Sequence, residues 1–97
     1  MTKEQLDGKF IICRTKDEAD FILYWIGQLF NRYDVYNTEG FRNPICIRTK
    51  RYDTGHFGWN DPGDYENDPA SWGHIKEEEC SVLFGNLVKR WLKNGRT

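Results

Sequence analysis

The amino-acid sequence predicts an α+β fold in which two helices pack on one face of a small, mostly antiparallel sheet of three or four strands. Three observations support this. Short isoleucine-rich runs are typical of buried strands, two long stretches have apolar residues spaced by three and four, and glycine and proline cluster between these segments. The 97 residues suit a single domain, residues 1–97, with the element order β-α-β-β-(β)-α.

The first strand and the first helix have the clearest patterns. Residues 1–8 are polar and predict a short arm, whereas Lys9–Arg14 contains an apolar run typical of a buried strand. Thr15 and Glu18 have the spacing of a capping box, in which two side chains satisfy backbone amides at a helix start. We expect this helix to run from about Lys16 to about Tyr33. Its expected core-facing residues are Ala19, Ile22, Leu23, Ile26, Leu29, Phe30 and Tyr33.

The middle of the chain predicts two or three strands. Residues 34–37 suit a short strand, Phe41–Lys50 a longer one, and residues 72–75 a further short one. In the longer strand, Ile45, Ile47 and Thr49 are expected on one face, with Cys46, Arg48 and Lys50 on the other. Pro44 has no amide proton to donate, so it predicts a sheet edge or a bulge at that point.

The last element is predicted to be a helix from about Glu77 to Lys93. Three glutamates at its start and basic residues near its end match the helix dipole, and Asn94 with Gly95 is a fitting stop. Its expected core-facing residues are Cys80, Leu83, Phe84, Leu87, Val88 and Trp91.

Three cysteines lie beside large apolar residues: Cys13, Cys46 and Cys80. We expect them to be buried free thiols that act as small hydrophobic groups. Their odd number, together with the lack of a signal peptide, predicts a cytoplasmic protein. No apolar run approaches the roughly 20 residues that a membrane helix needs, so we expect a soluble chain.

No residue pattern predicts an enzyme, a metal site or a cofactor site. Cys46, His56, His74 and Cys80 are zinc-type ligands, but their spacing lacks the close pairs of zinc fingers and ribbons. Residues 60–68 offer many oxygen atoms but do not fit a calcium-binding EF-hand loop. Phosphate loops, dinucleotide fingerprints and serine-hydrolase elbows are missing from the sequence.

The most distinctive segment is acidic and aromatic. Residues 53–79 contain eight acids and one base, a net charge of −7, while the rest of the chain carries +6. We expect residues 51–72 to form a long loop, because glycine and proline recur within it. Aromatic rings with carboxylates beside them favour the binding of a protein that has a basic surface. The expected contact residues are Trp59, Asp61, Asp64, Tyr65, Glu66 and Asp68.

Small separate chains with such a surface include inhibitors that phages and mobile elements direct at nucleic-acid-handling proteins of the host. By analogy alone, we expect a protein-binding inhibitor of this type. A second interpretation is an RNA- or DNA-binding domain that uses Arg48, Lys50, Arg51 and Lys89 to contact phosphates. A third is a self-associating domain that buries Phe21 and Trp25, which lie outside the main apolar stripe of their helix, between two protomers.

Overall fold

The structure is a computed structural model that describes residues 1–33, 38–49, 58–60 and 77–96. Its elements, in chain order, are α1 (Lys3–Leu6), β1 (Phe10–Cys13), α2 (Lys16–Phe30), a 3₁₀ turn (Thr38–Gly40), β2 (Ile45–Arg48), β3 (Gly58–Asn60), β4 (Glu77–Glu79) and α3 (Cys80–Lys93). The predicted strands at residues 34–37 and 72–75 lie outside the described residues.

The four strands form one mixed sheet in the order β3-β2-β1-β4. β1 and β2 are antiparallel, as are β2 and β3, whereas β1 and β4 run parallel. Residues of α2 and α3 share one core cluster with Ile11 of β1 and Ile47 of β2, so both long helices cover the same face. The predicted fold class is therefore confirmed.

The core between the helices and the sheet is closed. We call it the sheet-facing interior, and it comprises Leu6, Ile11, Cys13, Ile22, Ile26, Ile45, Ile47 and Cys80, with Thr49 at its margin; all nine are 0% exposed. Alternate residues of a strand point to opposite faces, so Phe10 and Cys46 belong to the other face of the sheet. They are also fully buried.

The first eight residues were expected to be a polar arm, and this prediction is wrong. Thr2 and Gln5 form a capping box that starts α1, and Leu6 at its end is fully buried. Thr49 holds this segment in place, because its hydroxyl donates to the Leu6 carbonyl and accepts from the Lys9 amide at 3.0 Å. Burial of one leucine thus turns a polar sequence into a packed element.

The boundaries of α2 differ from the prediction at one end. Thr15 and Glu18 form the expected capping box, but α2 ends at Phe30 rather than at Tyr33. Asn31 takes the left-handed conformation with a φ of 55°, which stops the helix and turns the chain. Tyr33 is consequently 72% exposed and is not a core residue, although its ring folds back over Gly27.

Two predictions about the strands are also wrong. Residues 77–79 do not begin the last helix; they form β4 in parallel register with β1, and α3 begins at Cys80. Pro44 does not mark an edge strand, because β2 lies between β3 and β1 and Pro44 precedes its first residue. Pairing with a neighbouring strand outweighs the local helix signal of the three glutamates.

Candidate functional site

The acidic aromatic segment contains a strand that the sequence did not predict. Residues 58–60 were expected within a long loop, but they form β3, in which Trp59 pairs with Ile47. β3 and β4 are the two outer strands of the sheet, so this segment enters the described fold at one edge and rejoins it at the other. Asp61, Asp64, Tyr65, Glu66 and Asp68 lie outside the described residues.

The carboxylates at the end of this segment have different surroundings. Glu79 pairs with Arg14, which donates from Nη2 to Oε1 at 2.6 Å and from Nε to Oε2 at 3.2 Å. These hydrogen bonds raise the pKa of Arg14, because the carboxylate stabilises the charged guanidinium. Glu78 is exposed on the same strand. β4 therefore places one carboxylate in an ion pair across the fold and another toward solvent.

Of the four basic residues proposed to contact nucleic acid, the two that the structure describes, Arg48 and Lys89, lie on opposite sides of the sheet. Ile47 faces the helices, so Arg48 beside it points to the opposite face of the sheet. There Arg48 lies against β3, since a Cβ on Gly58 would be 2.6 Å from its Nη2. Lys89 is exposed on α3, on the side of the sheet that the helices cover. Lys50 and Arg51 lie outside the described residues.

Phe21 and Trp25, proposed as a dimer surface, have different positions. Phe21 is 1% exposed, with its ring 5.7 Å from that of Trp91 and 6.0 Å from that of Phe84. It belongs to the packing between α2 and α3 and is not available at the surface of the chain. Trp25 is half-buried and makes an edge contact with Tyr24, with ring centroids 5.2 Å apart.

A pocket of about 180 Å³ opens where α2 meets α3, and we call it the α2–α3 pocket. It is lined by Met1, Phe21, Trp25, Leu87, Arg90, Trp91 and Asn94. The walls are mostly apolar or aromatic, with an arginine and an asparagine as polar members. This composition is typical of small binding sites, which combine an apolar lining with a few polar groups.

The two tryptophans that line this pocket, Trp25 and Trp91, each have a buried indole nitrogen that lacks a hydrogen-bond partner among the described residues. A buried donor without an acceptor costs roughly 1–3 kcal/mol of stability. Unsatisfied donors on two residues of one pocket therefore mark it as the candidate ligand site of the described structure.

Trp91 is held firmly in this arrangement. Its ring packs against Phe21 and lies 5.7 Å from Tyr24, while the Arg96 guanidinium lies 5.2 Å from its centroid. Arg96 in turn pairs with Asp17 and with Asp20, whose Oδ2 is 2.9 Å from Nη1. Hydrogen bonds to these two carboxylates raise the pKa of Arg96. Arg96, just after α3, is thereby linked to the first two turns of α2.

The sequence patterns identified only part of this pocket. Trp25 was recognisable because it lies outside the main apolar stripe of its helix, but Trp91 was expected to be an ordinary core residue. Arg90 gave no signal, since bases near a helix end are expected from the helix dipole alone. Only the packing of α3 on α2 brings these residues together.

The three cysteines are free and buried, as predicted. The contact with the Cys80 thiol, followed by burial, raises the pKa of Cys13 well above its ordinary value of 9.0. A thiol of this kind stays protonated and is a poor nucleophile. Cys13 and Cys80 are therefore core residues in the described structure.

The two zinc-type residues that the structure describes, Cys46 and Cys80, are separated by the sheet. Cys80 belongs to the sheet-facing interior, Cys46 lies on the other face, and His56 and His74 lie outside the described residues. Within residues 1–33, 38–49, 58–60 and 77–96, no group of three or more potential ligands is arranged to hold a metal ion. Over the same ranges, no helix has the length and apolarity needed to span a membrane.

Comparisons of the chain with protein families, with curated protein sequences and with solved structures found no match.

Proposed function

We propose that this protein is a binding module for another protein and that it recognises a basic surface on that partner. The observation that carries the proposal is the net charge of −7 over residues 53–79, a segment that also holds four aromatic residues and directly follows a fifth, Tyr52. Aromatic side chains supply much of the binding energy at protein interfaces, and carboxylates pair with arginine and lysine.

The described fold supports this proposal in two ways. The segment joins the two outer strands of the sheet, and Glu78 at its end is exposed. Four of the described bases offer no common surface for a phosphate backbone. Arg14 and Arg96 form ion pairs within the chain, while Arg48 and Lys89 lie on opposite sides of the sheet. A phosphate backbone needs several bases on one surface.

The partner we propose is a nucleic-acid-handling protein. An acidic surface would compete with the phosphates of nucleic acid for the basic groove of such a protein. Grooves that bind nucleic acid are basic and attract carboxylates through the same field. The role as an inhibitor of the phage or mobile-element type rests on this analogy. The three free thiols support a reducing compartment, the cytoplasm, as the place of action.

The test begins with affinity capture from cells and continues with the purified partner. We expect the Trp59→Ala, Tyr65→Ala double variant to raise the dissociation constant at least tenfold, because hot-spot aromatic residues each contribute about 2 kcal/mol or more. Tyr33→Ala is the matched control, since Tyr33 is an aromatic residue 72% exposed outside the segment. Its affinity should equal that of the wild type.

Two results would contradict the proposal. One is a double variant that binds the purified partner with unchanged affinity. The other is tight binding of the wild-type protein to an oligonucleotide at low ionic strength that weakens steeply as salt is added, which would favour the nucleic-acid interpretation instead.

A further inference from the structure

We propose that the α2–α3 pocket binds a small carboxylic acid that carries one aromatic ring or one branched apolar chain. Three observations carry this assignment: the size of the pocket, a lining with one cationic side chain and no carboxylate side chain, and two lining tryptophans whose buried indole nitrogens lack acceptors among the described residues. The inference goes beyond the proposed function, because the pocket shares no residue with the proposed partner-binding set.

The volume of the pocket limits the ligand to a small molecule. The volume of about 180 Å³ is below the roughly 300–1,000 Å³ of sites that hold drug-sized molecules. Phe21, Leu87 and the two tryptophan rings supply apolar surface for such a molecule. One ring or one branched chain would replace water at these walls, and apolar contact of this kind favours binding.

The charge distribution selects an anion. Arg90 is exposed at the pocket and forms no ion pair with any residue in the described ranges. Two acids of α2, Asp17 and Asp20, are paired with Arg96. A guanidinium binds a carboxylate through two parallel hydrogen bonds, which are stronger than bonds to a neutral group.

The indole nitrogens supply a second reason for an acceptor on the ligand. Trp91 is fixed by Phe21, Tyr24 and Arg96, whereas the ring contact of Trp25 is with Tyr24 alone among the described residues. Both nitrogens are covered in this structure, so a ligand oxygen reaches one only if a ring turns. We assign that movement to Trp25. The ligand then supplies the hydrogen bond that the chain does not.

The experiment is a titration followed by the indole N–H signals in a ¹H–¹⁵N NMR spectrum, with phenylacetate as the probe. We expect the Trp25 signal to shift downfield and the dissociation constant to be in the millimolar range or tighter, as befits about ten non-hydrogen atoms. Phenylacetamide, which has the same shape without the charge, should bind about tenfold more weakly. Acetate, which lacks the ring, should leave the signal in place.

Matched variants separate the charge from the fold. Arg90→Gln should bind phenylacetate and phenylacetamide equally, whereas Lys89→Gln removes the neighbouring charge on α3, outside the pocket, and should keep the tenfold preference. Trp25→Phe retains an aromatic ring but no donor, and it should weaken phenylacetate binding several-fold. Both charge variants alter exposed side chains, and their amide spectra should match that of the wild type.

The assignment fails if phenylacetate at about 10 mM shifts neither the Trp25 nor the Trp91 signal, a concentration well above the dissociation constant expected for a ligand of this size. It also fails if the acid and the amide bind equally to the wild-type protein. Because these measurements use no protein partner, their failure leaves the proposed function unaffected. Loss of partner binding in the Trp59 and Tyr65 double variant likewise leaves this assignment unaffected.

Discussion

The sheet-facing interior and the α2–α3 pocket are built by the same two helices, yet they treat polar groups in opposite ways. In the interior, the Thr49 hydroxyl is bonded to Leu6 and Lys9, and the Cys13 thiol contacts Cys80. Around the pocket, two lining residues, Trp25 and Trp91, have buried indole nitrogens with no acceptor within the described ranges. The helices thus contribute to a core whose polar groups are bonded and to a pocket whose two tryptophans have buried donors without acceptors among the described residues.

This difference teaches where stability and function are to be sought. Removing one partner of a hydrogen bond in the interior leaves the other partner buried and unsatisfied, which lowers stability. A cavity with unpaired donors lowers the stability of the free protein, and a ligand that supplies an acceptor recovers that loss. Substitutions in the two regions should therefore differ in size and in kind.

The largest expected effect is in the interior. Ile47→Ala should lower the free energy of unfolding by about 3 kcal/mol, because it leaves a cavity where Ile47 packs between the sheet and the helices. Leu87→Ala in the wall of the pocket should cost only about 1 kcal/mol, since Leu87 is half-buried beside existing empty space. Chemical denaturation measures both values. Equal costs would remove the distinction between the regions.

Thr49 tests whether polar pairing supports the interior. Thr49→Val preserves the shape of the side chain but leaves the Lys9 amide without the hydroxyl that accepts from it at 3.0 Å. We expect a loss of about 2 kcal/mol in the free energy of unfolding. A valine variant as stable as the wild type would show that the hydroxyl adds nothing to the burial of Leu6 and to the backbone hydrogen bonds of Thr49 with Gly8 and Lys9.

Cys13 makes the stability of the interior depend on pH. Its pKa is raised above 9.0 in the folded chain, so the native state keeps a proton that the unfolded chain releases. This contribution is complete below about pH 9 and is lost as the pH rises, at about 1.4 kcal/mol per pH unit. Under reducing conditions, Cys13→Ala should show a flatter decline between pH 9 and pH 10.5. An equally steep decline in both proteins would contradict this account.

The smallest expected effect is at the pocket. Trp25→Phe removes some apolar area but also removes a buried donor that has no acceptor, and the two changes oppose each other. The free energy of unfolding should therefore stay within about 1 kcal/mol of the wild-type value. Thermal denaturation in the absence of ligand is the measurement. A loss close to that expected for Ile47→Ala would mean that Trp25 is a core residue after all.

The sequence predicted the elements whose signals are local. The capping box at Thr15, the alternation in β2 and the helical periodicity near Val88 each depend on neighbouring residues, and all three agree with the structure. Boundaries were less accurate where tertiary contacts decide. Glu77 to Glu79 pair with β1 in spite of their helix signal, and Leu6 is drawn into the core from a polar segment.

The candidate sites were harder to predict, because a site depends on residues that are distant in the chain. The pocket joins Met1 with residues of α2 and residues in or just after α3, and nothing in the local sequence of Arg90 indicates that it will share a pocket with Trp25. The acidic aromatic segment is the opposite case. Its composition alone indicates a binding surface, but composition does not give the arrangement of Asp61, Asp64, Tyr65, Glu66 and Asp68.

The central claim, that the acidic segment recognises a basic protein surface, is tested most directly by neutralising charge in matched pairs. Asp64→Asn with Glu66→Gln removes two acids from the segment, and Asp7→Asn with Glu4→Gln removes two exposed acids near the start of the chain. Calorimetry with the purified partner should give at least tenfold weaker binding for the first pair and an unchanged dissociation constant for the second. Equal affinity of both pairs and the wild type would contradict the claim.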